Sequence, residues 1–229
     1  MGNTKKFTLI ELLVVVAIIG ILASLLLPSL SKARSKALFA ICKSNNRQVT
    51  VAVNLYSTGE NDYLPYSGWL PTSGTYGRNW LYNHGSMNTL DDVKGGLLWP
   101  LMETTEIYHC PVHEDKDYNA QKLTSYIMNS IVQDDWHDNW HKLSQFESSF
   151  MLFWEANEQH QGGMWNDGTD LSREDITGNA KLTSRHGKLS SISAIDGSVT
   201  SISNVGFVSL LNASESPLTS CPTHGNNSH

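Results

Sequence analysis

An α+β fold, in which one long N-terminal helix docks on an antiparallel β-sheet, is predicted by three features of this 229-residue chain. An apolar run near the N-terminus passes into a stretch of helical periodicity. Two later segments are β-prone. A further one reads as a hairpin closed by Asp196-Gly197.

The apolar run extends from Phe7 to Leu27, interrupted only by Thr8, Glu11, Gly20 and Ser24. A helix of about 20 such residues is long enough to cross the hydrocarbon core of a bilayer. A cleavable signal peptide fits less well: the run exceeds the usual ~7–15 residue core, contains Glu11, and lacks a small-x-small site before a polar mature start. Beyond it, Leu30, Ala33, Ala37, Leu38, Ile41, Val49, Ala52, Val53 and Tyr56 fall at three- and four-residue steps, the mark of an amphipathic helix. A helix over 7–56 would measure roughly 75 Å at 1.5 Å per residue, more than twice the membrane core. Its second half must therefore stand outside the bilayer. Pro28 sits where the apolar run ends and is expected to kink the helix rather than stop it.

Glu11 is the anomaly. An acidic residue in a spanning helix is penalised by up to about 2.5–3.5 kcal/mol at the centre, so a retained one calls for a partner. The sequence "KKFTLIELLVVVAIIGILASLLLPSLSKA" resembles the N-terminal segment of type IV pilins and type II secretion pseudopilins. Those proteins carry an aromatic first mature residue, a glutamate at the fifth position and often a proline near the twenty-second. Counted from Phe7, Glu11 is fifth and Pro28 twenty-second. The resemblance implies a leader over 1–6, cleavage between Lys6 and Phe7 by a prepilin peptidase, N-methylation of Phe7, and filament assembly by helix-on-helix packing. It gives Glu11 the new Phe7 ammonium of its own or a neighbouring subunit as partner, a pairing strongly favoured in an apolar medium. The family usually has glycine before the cut, where this chain has Lys6.

Orientation rests on the same resemblance. Lys5 and Lys6 precede the span, whereas Lys32, Arg34, Lys36, Lys43 and Arg47 follow it; the positive-inside rule alone favours a cytoplasmic head. The resemblance implies the reverse: a single pass through the inner membrane, the N-terminus cytoplasmic and the head periplasmic or extracellular. The implied partners are membrane lipid, other pilin-like subunits, and an inner-membrane secretion or pilus assembly platform.

The head, residues 57–215, is long enough for one core and contains no second run of spanning length. The chain carries a formal net charge of −6, and the head has no basic surface for nucleic acid. Residues 95–106 read as a short helix broken at Pro100, 123–132 and 148–156 as β-prone segments, and 188–203 as the hairpin. A sheet on the outer half of the helix would bury the stripe from Ala33 to Tyr56. Residues 216–229 form a polar tail.

"RHGKLSSISAIDGSV" has the His-x9-Asp-Gly spacing, with His186, Asp196 and Gly197, of a group of pilin-like proteins. "YHCPVHED", "SYIMN" and "FWEAN" resemble the same group in order along the chain. An extended strand between His186 and Asp196 would separate them by some 20 Å at about 3.3 Å per residue, so a structural role at the start and turn of the hairpin is favoured over catalysis.

Three cysteines allow three single pairings or none. Cys42 with Cys110 is preferred, stapling helix to head in an oxidising compartment, because Cys221 lies in the polar tail. "HCPVH" (His109, Cys110, His113) and "WHDNWH" (His137, His141) offer metal donors, but neither set is complete, and they read as loop histidines. No metal or cofactor is expected. Calcium in "NDGTDLSRED" (166–175) is a minor alternative suggested by its likeness to some pseudopilins. No nucleophile and base stand at a workable spacing, so no enzymatic activity is expected. The reading is a structural subunit of a secretion pseudopilus or type IV pilus serving protein secretion. The alternative is an adhesin-like minor pilin whose Trp-rich head, through Trp136 and Trp140, binds glycan or another surface partner.

Overall fold

The computed structural model describes residues 8–68, 79–83, 89–113, 123–134, 139–157, 169–170, 182–183 and 185–213. The chain divides into two compact units, Met1–Leu38 and Phe39–His229. Lys6, Phe7, the leader and the polar tail lie outside the described residues, as does most of the 166–175 loop.

Helix α1 spans Leu9–Gly59 and contains Pro28 within it, so the proline does not end the helix. The start falls two residues after Phe7 because Thr8 takes the capping position. The end falls at Gly59 rather than Tyr56, and the next turn is closed by bonds from Glu60 N to Tyr56 O (3.0 Å) and Asp62 N to Ser57 O (2.8 Å). Asn61 and Asp62 take positive φ there, a left-handed stop that satisfies the last carbonyls.

In the first unit, the large apolar side chains from Leu9 to Leu30 are exposed on every face of the helix. A helix that is apolar all round has no core of its own to face. This segment has a mean hydropathy of 2.9 over its best window, enough by length and composition to cross a membrane.

The second unit is built on a five-stranded sheet of order β5-β1-β4-β6-β7. The strands are β1 (Tyr126–Asn129), β4 (Met151–Glu155), β5 (Thr169–Asp170), β6 (Leu189–Ala194) and β7 (Val199–Ser203). β1, β4, β6 and β7 are antiparallel neighbours, and only the two-residue β5 pairs parallel, at the β1 edge. β2 (Gln133–Asp134) and β3 (Asn139–Trp140) form a separate small ribbon. The β6–β7 connection places Gly197 at φ 82°, while Asp196 keeps negative φ. It is therefore a three-residue loop, Ile195 to Gly197, with glycine in the left-handed position, and not a two-residue turn with both residues at positive φ.

Two cores flank the sheet. One face holds Val49, Ala52 and Val53 of α1 with Trp80, Leu98, Tyr108, Tyr126, Phe150, Leu152 and Phe153. The other holds Ile127, Trp154 and Ile192 under Phe207 and Leu211 of helix α3 (Asn204–Leu211). A register shift between Met151 and Phe153 breaks the alternation of β4 and lets Leu152 and Phe153 face the same core.

Two sequence expectations need correction. The stripe on α1 is buried only from Cys42 onward: Leu30, Ala33, Ala37 and Ile41 are exposed, because the packing within the second unit takes in buried α1 residues only from Cys42 to Ser57. Pro100 does not break a helix. It sits in the first turn of α2 (Trp99–Met102), where its missing N–H has no partner to lose. Beside the apolar core, the seam between α1 and β6 is built from polar pairs.

Asn46 Nδ2 donates to Ser191 Oγ (3.1 Å), Thr50 Oγ1 bonds Ser193 Oγ (2.7 Å), and Asn54 Nδ2 donates to the Ile195 carbonyl (2.9 Å). Four helical residues rise about 6.0 Å and two strand residues about 6.6 Å. A four-residue step on α1 therefore keeps pace with a two-residue step on β6. Thr50 Oγ1 also bonds the Asn46 carbonyl at 3.0 Å. Removing Thr50 therefore leaves the Ser193 hydroxyl unmet in a buried seam, at about 1–3 kcal/mol, whereas removing Ser193 leaves Thr50 a partner, and removing both is nearly neutral. In urea unfolding of the detergent-solubilised chain, Thr50→Val should destabilise by that order and Ser193→Ala by less, and the double variant should lose clearly less than their sum. Strict additivity would show that the bond carries no coupling.

Candidate functional site

At the start of α1, Thr8 and Glu11 form a reciprocal cap. Thr8 N and Oγ1 donate to Glu11 Oε2 at 2.8 and 2.7 Å, and Glu11 N lies 3.3 Å from Thr8 Oγ1. The Thr-x-x-Glu spacing is a capping box, which satisfies helix-end donors that would otherwise be orphaned. The carboxylate expected to pair with the Phe7 amine therefore also has a local partner. The signal lies in the sequence as "TLIE" (8–11).

In the second unit, the His-x9-Asp-Gly residues serve different places. Asp196 accepts from Ser198 N at 2.8 Å, and hydrogen bonds from the Ser198 side chain and backbone hold its carboxyl below the usual range. With Gly197 it shapes the hairpin loop. His186 lies before β6 in an isolated bridge to Leu189, stacked on Phe39 with ring centroids 4.4 Å apart. No contact joins His186 to Asp196.

His186 instead joins a buried cluster drawn from four segments. Its Nε2 lies 3.2 Å from Cys110 Sγ and 3.3 Å from Glu155 Oε1. Cys110 is disulfide-bonded to Cys42 on α1, with S–S 2.20 Å and Cα–Cα 4.9 Å. Glu155, at the end of β4, is fully buried; its Oε2 accepts from Ser191 N at 2.7 Å, and Arg185 Nη1 lies 3.8 Å from its Oε1. Arg185 is held by bonds from Nη2 to the Ala156 carbonyl (2.9 Å) and from Nε to Thr183 Oγ1 (3.0 Å). Removing one member of such a buried ion pair costs about 3–5 kcal/mol, because the other charge is left uncompensated.

Neighbouring groups tie α1 to the same region. Tyr126 donates its hydroxyl to the Cys42 carbonyl (3.0 Å), and Asn45 Nδ2 donates to the Glu106 and His109 carbonyls (3.1 and 2.9 Å). Cys110 N donates to Ser125 Oγ at 2.8 Å, and Ser125 Oγ meets His113 Nδ1 at 3.0 Å. His109 and His113 are half-buried with ring centroids 4.7 Å apart, and His141 is buried against Phe146, so these three are not exposed loop histidines. The donors that converge among the described residues are Cys42, Cys110, Glu155 and His186, not the sequence neighbours His109 and His113. Glu155 and Arg185 were missed as site residues. Only "FWEAN" hinted at the first.

The remaining candidates are quickly placed. Trp136 and His137 lie outside the described residues, and only the backbone of Trp140 is described. Trp80 and Trp154 are fully buried core residues and offer no ring to a glycan.

A long N-terminal helix, apolar and uncovered in its first part, with an α+β head built on an antiparallel sheet, is the pilin-like arrangement. The chain is 41% identical over 63 residues to the type IV wide pilus major component PilA4 of Thermus thermophilus, a stretch covering 28% of this chain. The matched stretch is 48% of that relative, so the chain spans about half the length of the curated protein it matches. This likeness to a type IV pilin agrees with the resemblance carried by Glu11 and Pro28. No family model and no solved structure matches the chain.

Two measurements probe the head. Alkylation followed by mass spectrometry should label one cysteine per chain without reductant and three with it; a label on Cys42 in unreduced protein would contradict the pairing. Burial pushes the Tyr126 hydroxyl well above its usual value, with the Glu155 charge adding to the effect, and burial likewise raises Tyr108. A raised acid pKa gives stability that is complete below the unfolded tyrosine value of about 10 and is lost as pH rises above it. Unfolding free energy should therefore fall above about pH 10, and Tyr108→Phe should flatten that fall.

Proposed function

We propose that the chain is a structural, non-enzymatic subunit of a pilin-like filament, either a type IV pilus or a type II secretion pseudopilus. The observation that carries this reading is the uncovered apolar surface from Leu9 to Leu30, which needs lipid before assembly and neighbouring helices after it. The likeness to a type IV wide pilus component supports the same reading.

In this reading a prepilin peptidase cuts before Phe7 and the new amine is methylated. The subunit waits in the inner membrane with its head outside the cytoplasm until an assembly platform adds it to the filament. Both Thr8 bonds go to Glu11 Oε2, so among the described residues Oε1 is left for an ammonium group of the same or a neighbouring chain. A charge pair at that depth would fix the axial step between subunits, since a mismatched register strands a carboxylate in an apolar layer.

The test is the N-terminal peptide of membrane-extracted protein, together with Glu11→Ala. A methylated Phe7 and an inserted but filament-deficient Glu11→Ala chain are expected. An intact Met1 start would refute the maturation step, and normal filaments from the variant would refute the role of the carboxylate.

A further inference from the structure

The cluster around His186 has a geometry that a disulfide alone does not require. Cys42, Cys110, Glu155 and His186 each present a donor atom, and all four atoms lie within 4.8 Å of one another. Cys110 Sγ and Glu155 Oε1 both approach the same ring nitrogen, Nε2, at 3.2 and 3.3 Å. A thiol–imidazole–carboxylate relay needs the thiol on one nitrogen and the orienting carboxylate on the other. Convergence on a single nitrogen is instead how donors meet around an ion. With zinc–sulfur bonds of about 2.3 Å and zinc–nitrogen or –oxygen bonds of about 2.0–2.2 Å, the donors of a tetrahedral sphere stand roughly 3.4–3.8 Å apart. Two edges of that tetrahedron are already within a few tenths of an ångström, and the edge closed by the S–S bond is the one that must open.

We propose that the reduced, dithiol form of this chain binds one divalent transition metal of the zinc class through Cys42 Sγ, Cys110 Sγ, Glu155 Oε1 and His186 Nε2. The disulfide and the metal are alternative occupants of one site. Two thiolates with one imidazole and one carboxylate select a borderline-soft ion with tetrahedral preference over calcium or magnesium. Four protein ligands close the sphere, as in a structural rather than a catalytic site.

Charge supports both occupants. With the disulfide formed, the Glu155 carboxylate is balanced by the Arg185 guanidinium 3.8 Å away. With the metal bound, two thiolates and the carboxylate exceed the dication by one negative charge, and the same guanidinium cancels it. With the imidazole uncharged, the charges named balance in either state, so neither strands a charge away from water. Outer contacts hold the donors in place: Ser191 N–H on Glu155 Oε2, Ser125 Oγ on the Cys110 amide, and the Phe39 ring on the imidazole. Such partners orient ligands and tune affinity.

The exchange balances. A dithiol reductant supplies two electrons and two protons to the S–S bond, giving two thiols and the reductant's own disulfide. Metal binding then releases two protons as two sulfur–metal bonds form. In reverse, a disulfide oxidant takes two electrons from the bound thiolates, the S–S bond re-forms, and the ion leaves. In either state α1 stays fastened to the segment at Cys110; the metal adds β4 and the segment before β6 to that link.

The test uses the full chain in detergent with Cys221→Ser, reduced by a dithiol, freed of reductant without oxygen, and titrated with Co2+. One Co2+ per reduced chain is expected, with intense tetrahedral d–d bands and thiolate charge-transfer absorption. Equimolar Zn2+ should displace it, and the oxidised chain should show no such spectrum. Cys42→Ser should abolish the spectrum, and His186→Ala should weaken binding by about tenfold or more and alter the bands. Glu155→Gln risks misfolding, so the carboxylate is read from zinc X-ray absorption of the chain with no change at Glu155, where a shell of two sulfurs and two light atoms is expected. A reduced chain without the tetrahedral spectrum, a spectrum unchanged by Cys42→Ser or His186→Ala, or a shell without sulfur would overturn the proposal.

Discussion

The head is organised by a match of repeats across a polar seam. Asn46, Thr50 and Asn54 of α1 meet Ser191, Ser193 and the Ile195 carbonyl of the β6 hairpin one for one. Each bond fixes register in a way that apolar contact does not, because a shift leaves a buried polar group of the hairpin, such as the Ser193 hydroxyl, unmet. A one-residue slip of β6 would turn Ser191 and Ser193 toward the Trp154–Phe207 core and Ile192 toward the helix. Both layers of the head therefore depend on the same register. The smaller face, with α3, needs the apolar residues of β6 where the polar seam puts them.

The two parts of α1 answer to different surroundings, and their composition follows. From Leu9 to Leu30 the large apolar side chains are exposed on all faces, which suits lipid or a neighbouring helix and has no use for a polar stripe. From Cys42 to Ser57 the buried face alternates Asn45, Asn46, Thr50 and Ser57 with Val49, Ala52 and Val53. Glu11 belongs to the first part in position but not in chemistry. The Thr8 cap gives the carboxylate two donors within one turn, and so lowers the cost of holding it at the edge of an apolar segment.

What was legible in the sequence was what local pattern encodes. The apolar run, the helical steps after it, the hairpin at 188–203 and the offsets of Glu11 and Pro28 all lie within windows that periodicity or a motif can read. Cys42 with Cys110 followed from weighing three cysteines, one of them in a polar tail. The Glu155–His186–Arg185 network was not legible, because its members meet only when β4 and β6 pair. Helix α3 was missed for a different reason: "NVGFVSLL" (204–211) is too short and too uniformly apolar for periodicity to separate a helix from a strand. The stripe upstream of Cys42 was over-read, since amphipathic spacing marks a face that can be covered without saying that this chain covers it.

In the proposed filament, the link between helix and head would also bear load. A subunit held in a filament by its helix, as proposed, receives force along α1 and must pass it to the head. The three seam bonds lie side by side along α1, so displacement along the axis strains them together rather than one after another. Cys42 adds a covalent tie at the first fully buried position of the helix, where peeling would otherwise begin. The Tyr126 and Asn45 bonds flank that tie. Placing the strongest connection at the end of the seam protects weaker bonds that resist sliding well and resist peeling poorly, and this gives a physical reason for the cysteine to stand at 42 rather than farther along the docked face.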